Sequence, residues 1–191
     1  MQNGWKGAVK LRVNADAMTL YAVTDRIWVK DTTLMDQVKE ALEGGITFLQ
    51  LREKHLSKEE FIKEAREMKE LSKEYKVPFV INDNIEVALA VDADGVHIGQ
   101  NDMSVEEARK LLGEDKIIGV SAHNVEEAIK AQKGGADYLG VGAVCATSTK
   151  KDANVVSKEE IKKNLSYSRD SSGSDRRDQK RKYQDTRRNG C

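Results

Sequence analysis

The chain has 191 residues, 39% of them hydrophobic and 34% charged, a profile that fits one water-soluble globular domain with a real core. Its longest apolar runs, such as 87–91, fall far short of the roughly 18 to 20 residues a bilayer span requires, and no basic segment followed by an apolar block opens the sequence, so a cytoplasmic protein without a membrane partner is expected. The formal net charge is zero, the two cysteines (Cys145 and Cys191) make no disulfide framework, and no Cys/His cluster has zinc-ligand spacing.

Between about residues 19 and 161, strand-like runs alternate with helical patterns. In chain order the runs are T-L-Y-A-V-T-D (19–25), F-L-Q-L-R-E (48–53), F-V-I-N-D (79–83), G-V-H-I-G (95–99), I-I-G-V-S-A (117–122) and Y-L-G-V-G-A (138–143). That alternation predicts βαβ units around a parallel sheet. Ser57 three residues before Glu60, and Ser104 three before Glu107, have the spacing of capping boxes and start two of the helices. Phe61, Ala65, Met68 and Leu71 then recur at helical spacing and are assigned to the core. Gly44-Gly45, Gly113 and Gly134-Gly135 follow helical segments where left-handed C-caps are expected. Six strands at a repeat of roughly 20 to 30 residues make most of a (β/α)8 TIM barrel, whose usual length is about 250 residues.

In such a barrel the polar residues that close each strand converge on one rim. The second strand ends in Gln50, Arg52 and Lys54, and the third in Asn82 and Asp83. Gln100 and Asp102 follow the fourth, Ser121 closes the fifth, and the sixth empties into Thr147, Ser148, Thr149, Lys150 and Lys151. Two carboxylates without histidine or cysteine ligands suit a hard cation, and Mg²⁺ is commonly held by one or two carboxylates together with substrate phosphates. With Arg52, Lys54 and Lys150 beside them, the set reads as a Mg²⁺-pyrophosphate pocket. Plainer readings exist for each residue. Asp83 would serve as a helix cap, Asp102 as a loop acid before the Ser104 cap, Arg52 as the partner of Glu53 or Asp83, and the T-S-T-K run as a polar connection. His97, alternating with Val96 and Ile98, reads as a packed residue, and His55, His97 and His123 form no constellation. No Ser-His-Asp arrangement or nucleophile elbow is present, so no catalytic nucleophile or general base is expected.

These segments, with A-D-G-V-H-I-G-Q-N-D and Y-L-G-V-G-A-V-C-A-T-S-T-K-K-D-A, resemble the thiamine phosphate synthase family over about residues 17–168. The family joins the pyrimidine and thiazole halves of vitamin B1. The resemblance implies that Gln50, Arg52 and Lys54 contact a hydroxymethylpyrimidine diphosphate, and that Asn82, Asp83 and Asp102 hold Mg²⁺ and the pyrophosphate. It places Ser121 and Lys150 on the same substrate, and Thr147 and Thr149 on a thiazole phosphate. The implied reaction displaces pyrophosphate from the exocyclic carbon by the thiazole nitrogen, in a dissociative manner through a pyrimidine-methyl cation. Such chemistry needs charge stabilisation and positioning rather than a nucleophile. The family often has Phe where this chain has Cys145. The nearest relative of different activity, a thiazole tautomerase, shares the barrel without the T-S-T-K and Mg²⁺ pattern.

After Ser168 the resemblance stops. Residues 169–191 hold eight basic and four acidic residues and not one aliphatic, so this tail is expected to be a polar, disordered segment apart from the incomplete barrel domain of residues 1–168. Permitted codons for the tail, read one base later, yield E-I-P-V-V-A-I-G-G-I, an apolar strand with a glycine turn; the expectation is a frameshift that replaces strands seven and eight. A barrel lacking them keeps two open edges, and the chain as written is expected to be a poor catalyst. Nucleic acid is not an expected partner, because the tail's cations are interspersed with aspartates and only one aromatic, Tyr183.

Overall fold

The computed structural model describes residues 13–142 together with Val156. Six strands, β1 (Tyr21–Val23), β2 (Phe48–Leu51), β3 (Phe79–Asn82), β4 (Gly95–Ile98), β5 (Ile117–Ala122) and β6 (Tyr138–Val141), pair in parallel in the order of the sequence. Helices α1 (Leu34–Glu43), α2 (Lys58–Glu74), α3 (Ile85–Ala90), α4 (Val105–Leu112) and α5 (Val125–Gly134) form the five crossovers between them. Each strand lies within one of the apolar runs read from the sequence.

The helix starts follow from short polar side chains. Ser57 and Ser104 form the two expected capping boxes with Glu60 and Glu107, and Thr33 with Asp36 makes a third. Asn84 and Asn124 cap α3 and α5 by accepting from the backbone of Val87 and Glu127. The glycine expectation holds at two of its three places. Gly135 is a left-handed cap (φ 95°, ψ 28°) whose N–H bonds the Gln132 carbonyl while that of Ala136 bonds Ala131, and Gly45 (φ 89°) follows α1 with the same pair of bonds, its N–H to the Leu42 carbonyl and that of Ile46 to the Ala41 carbonyl. Gly44 itself stays right-handed, Gly134 is the last residue of α5, and Gly113 departs from the expectation by pairing its positive φ with extended ψ. The helix bonds to Gly44 and Gly113 close without that geometry.

Strand periodicity divides the core in two. Leu49, Leu51, Phe79, Ile81, Val96, Ile98 and Ile118 face outward and meet the helices, where Phe61, Ala65 and Met68 of α2 lie fully under them while Leu71 sits half-buried at the margin. Each such large side chain contributes about 1.5–3 kcal/mol by leaving water. The alternate positions, Phe48, Val80 and Ile117, face inward and pack with Tyr21 and Tyr138.

That inner layer shows how far the sheet curls. Laid flat, β1 and β6 would stand ~24 Å apart, five spacings of about 4.8 Å. Instead the hydroxyls of Tyr21 and Tyr138 lie 2.8 Å from one another. The six strands therefore wrap around a common interior as an open barrel. β1 and β6 are the two edges among the described residues, and they are the exposed ones: β2, β3 and β4 are buried throughout, whereas every residue of β1 and β6 is partly exposed and Val23 is 49% exposed. No helix among the described residues is long and apolar enough to cross a membrane.

Candidate functional site

The C-terminal ends of β2 to β5 bring most of the predicted residues onto one rim, as parallel strands with a shared register must. Gln50 and Asn82 occupy the inward face at the ends of β2 and β3 and are both buried. Lys54, in the loop after β2, donates to Asp83 Oδ2 at 2.5 Å. Asp83 takes a left-handed backbone conformation (φ 59°), uncommon for a residue with a side chain, and its N–H is spent on the carbonyl of His97 at 2.8 Å.

Asp102, in the loop after β4, accepts from the Gly99 N–H at 2.6 Å, and its carboxyl interacts with that of Asp83. Burial works against ionisation of Asp83, but the Lys54 ammonium, helped by the adjacent Asp102 carboxyl, outweighs it and holds its carboxyl below the usual range. Asp102 moves the other way. Burial raises it, and the adjacent Asp83 carboxylate raises it further against the pull of the Gly99 N–H. Two acids pushed apart while sharing one ammonium form a site suited to a hard cation. Asp83 is not the helix cap, since Asn84 is, and Asp102 does more than end a loop.

Arg52 pairs with neither Glu53 nor Asp83. Its closest carboxylate is Asp25, at 4.0 Å across the ends of β1 and β2, and its backbone N–H donates to Thr24 Oγ1 at 2.9 Å. Glu53 turns the opposite way, into a buried clamp with Arg26. The Arg26 Nε–H is aligned on Oε2 at 3.0 Å while Oε1, at 2.8 Å, takes only the charge, and the guanidinium also grips both oxygens of Glu64. No local pattern signals this clamp, because its members lie 27 and 38 residues apart.

Ser121, on the inward face of β5, meets His97 Nε2 at 3.0 Å, and its carbonyl accepts from Gln100 Nε2 at 2.6 Å. His97 is packed, as expected, but it also hydrogen-bonds Tyr138, which bonds Tyr21, which accepts from Gln50. Tyr21 and Tyr138 were missed among the strand aromatics. Their inward parity, shared with Gln50 and Ser121, was the available signal. His123 stands apart, paired with Glu127. Thr147, Thr149 and Lys150, like Cys145, lie outside the described residues. Among the described residues no cluster of three or more acidic, histidine or cysteine ligands exists, so any metal here depends on Asp83, Asp102 and oxygen atoms brought by a ligand or water.

Comparison with known proteins gives concordant matches. The family model for thiamine monophosphate synthase matches residues 20–169. A thiamine-phosphate synthase of Clostridium acetobutylicum is 55% identical over 143 residues, covering 75% of this chain and 68% of the relative, and one of Clostridium tetani is 51% identical over 144 residues, covering 75% and 69%. The chain thus spans about two thirds of the length of these relatives. Among solved structures, a thiamine phosphate pyrophosphorylase from Pyrococcus furiosus superposes with a TM-score of 0.72 at 39% identity, covering 80% of this chain and 71% of that one.

Proposed function

The chain belongs to the thiamine monophosphate synthase family, a family of transferases, and from that premise we propose that its rim is a synthase site for a pyrimidine diphosphate and a thiazole phosphate. In this reading the bond between the pyrimidine's exocyclic carbon and the diphosphate oxygen breaks, and pyrophosphate leaves with the electron pair. The same carbon then bonds to the thiazole nitrogen, giving thiamine phosphate. Gln50, Arg52, Lys54, Asn82 and Ser121 hold the pyrimidine diphosphate with Lys150, while Thr147 and Thr149 hold the thiazole phosphate. Asp83 and Asp102 hold Mg²⁺. When bound, the ion supplies positive charge against the departing pyrophosphate.

The observation that carries the reading is the Lys54–Asp83–Asp102 cluster, an ammonium and two acids of opposed proton affinity at one rim. Lys54 is already preorganised beside the acids, so it can follow the diphosphate without first being gathered from solvent. Among the described residues Arg52 pairs only with Asp25, at 4.0 Å, a contact long enough to yield to an anion.

The test is pyrophosphate release from the two precursors by the purified chain, together with calorimetric binding of pyrophosphate. Binding that requires Mg²⁺, is abolished by EDTA and is lost in Lys54→Met is expected. Absence of Mg²⁺-dependent binding would overturn the assignment. The partial exposure of β1 and β6, the edge strands among the described residues, favours a second reading, that the chain binds these ligands but turns them over slowly, because edges of that kind leave the rim poorly supported. Binding without release is its signature, and full turnover would dismiss it.

A further inference from the structure

Five inward-facing side chains make one continuous hydrogen-bond path across the barrel interior. Gln50 Nε2 donates to the Tyr21 hydroxyl at 2.6 Å, the two tyrosine hydroxyls lie 2.8 Å apart, Tyr138 Oη lies 3.0 Å from His97 Nδ1, and His97 Nε2 lies 3.0 Å from Ser121 Oγ. The path runs from β2 through β1, β6 and β4 to β5, and so joins two rim residues by way of three that the proposed reaction does not use. The sheet is shaped to admit it. A methyl at Gly119 would lie 2.0 Å from Tyr138 Cζ, and one at Gly140 would lie 3.0 Å from His97 Cε1.

The path has a direction. The Gln50 amide can only donate through Nε2, so the Tyr21 oxygen accepts there and its own proton goes to Tyr138. Tyr138 then sends its proton to His97 Nδ1, which makes Nδ1 the acceptor and leaves the proton on Nε2, facing Ser121. Ser121 Oγ accepts, and its O–H is left to point away from the path. This is the arrangement in which every hydroxyl on the path both donates and accepts. Both phenols are suited to it, since burial pushes Tyr21 up to about 12 and Tyr138 well above its ordinary value, so neither ionises near neutral pH.

We propose that Tyr21, Tyr138 and His97 are positioning residues that fix the His97 tautomer with the proton on Nε2 and thereby present Ser121 as a hydrogen-bond donor to the ligand. The ligand atom that meets Ser121 is then an acceptor, such as an unprotonated ring nitrogen. That last step rests on the proposed function; the tautomer itself does not.

The experiment reads the tautomer directly, by long-range ¹H–¹⁵N correlation of the histidine side chains in the ligand-free chain, with His97 assigned through loss of its signals in His97→Gln. The expected pattern is a single neutral species protonated at Nε2. In Gln50→Glu the carboxylate accepts from Tyr21, every bond on the path reverses, and the His97 proton is expected on Nδ1. Tyr138→Phe cuts the path and is expected to give a mixture of tautomers, which keeps the test decisive where the buried glutamate of the first variant prevents folding. A wild-type proton on Nδ1, or a pattern unchanged in whichever variants fold, would overturn the proposal. Because no substrate is present, a failure of the synthase reading leaves this result untouched, and pyrophosphate binding is unaffected by its outcome.

Discussion

Replacing Gly119 by alanine tests the inner layer of the barrel most sharply. The new methyl would sit 2.0 Å from Tyr138 Cζ, 2.3 Å from its hydroxyl and 2.5 Å from Cε1. To reach an ordinary carbon contact of about 3.5 Å, the ring must retreat by ~1.5 Å. It has little freedom to do so, since it packs edge-on against Phe48 and its hydroxyl is tied to Tyr21 at 2.8 Å and His97 at 3.0 Å. A shift of that size stretches both bonds beyond hydrogen-bond length, each worth ~1 kcal/mol net, and adds ~1–3 kcal/mol of overpacking strain. The expected loss is therefore ~3–5 kcal/mol, a large share of the ~5–15 kcal/mol typical of a domain. Urea unfolding followed by circular dichroism should show the midpoint falling by roughly 2 M for a slope near 2 kcal/mol/M. In a Tyr138→Ala background the same alanine should cost almost nothing, because the atoms it strikes are gone. A loss of less than about 0.5 kcal/mol in the wild-type background, or an equal loss in both backgrounds, would refute the packing described here.

Further outcomes follow from the rim and its supports. Asp102→Asn keeps an oxygen for the Gly99 N–H but removes the charge facing Asp83. The ionised form of Asp102 is the costly one, so the variant's gain over wild type should be present at neutral pH and vanish as pH falls below the ordinary carboxyl value. The gain should stay under ~1 kcal/mol because Asp102 is solvent-screened, and pH-dependent thermal unfolding measures it. Arg26→Met strands the buried Glu53 and should cost ~1–2 kcal/mol in chemical denaturation, less than the ~3–5 kcal/mol of a fully buried pair because the guanidinium is 44% exposed. Stability equal to wild type would mean that water replaces the guanidinium. Asn124→Ala removes the oxygen that accepts the Glu127 N–H at 2.8 Å and should cost ~1 kcal/mol, with the first turn of α5 losing amide-exchange protection.

Much of this could be read along the chain. Each strand fell inside an apolar run, and the Ser57 and Ser104 caps sat where a serine three residues before a glutamate requires them. Lys54, Asp83 and Asp102 were legible as a group because parallel strands deliver their C-terminal ends to a common rim, whatever the details of packing. The partner of Arg52 was not legible. Glu53 is its neighbour in sequence, but adjacent residues of an extended segment point to opposite sides, so Glu53 turned to Arg26 and Arg52 toward Asp25. Tyr21 and Tyr138 looked like ordinary strand aromatics, since nothing local distinguishes a tyrosine that packs from one whose hydroxyl links two others.

The sequence by itself determined the order of the strands, their inward and outward faces and the residues at their ends, because periods of two and 3.6 are properties of neighbouring residues. Only the tertiary structure decided what meets across the interior. Tyr21 and Tyr138 are 117 residues apart and belong to strands that do not pair, yet they share a 2.8 Å contact. That contact exists because twist accumulates over five strand pairs, and no single segment of the chain carries the sum.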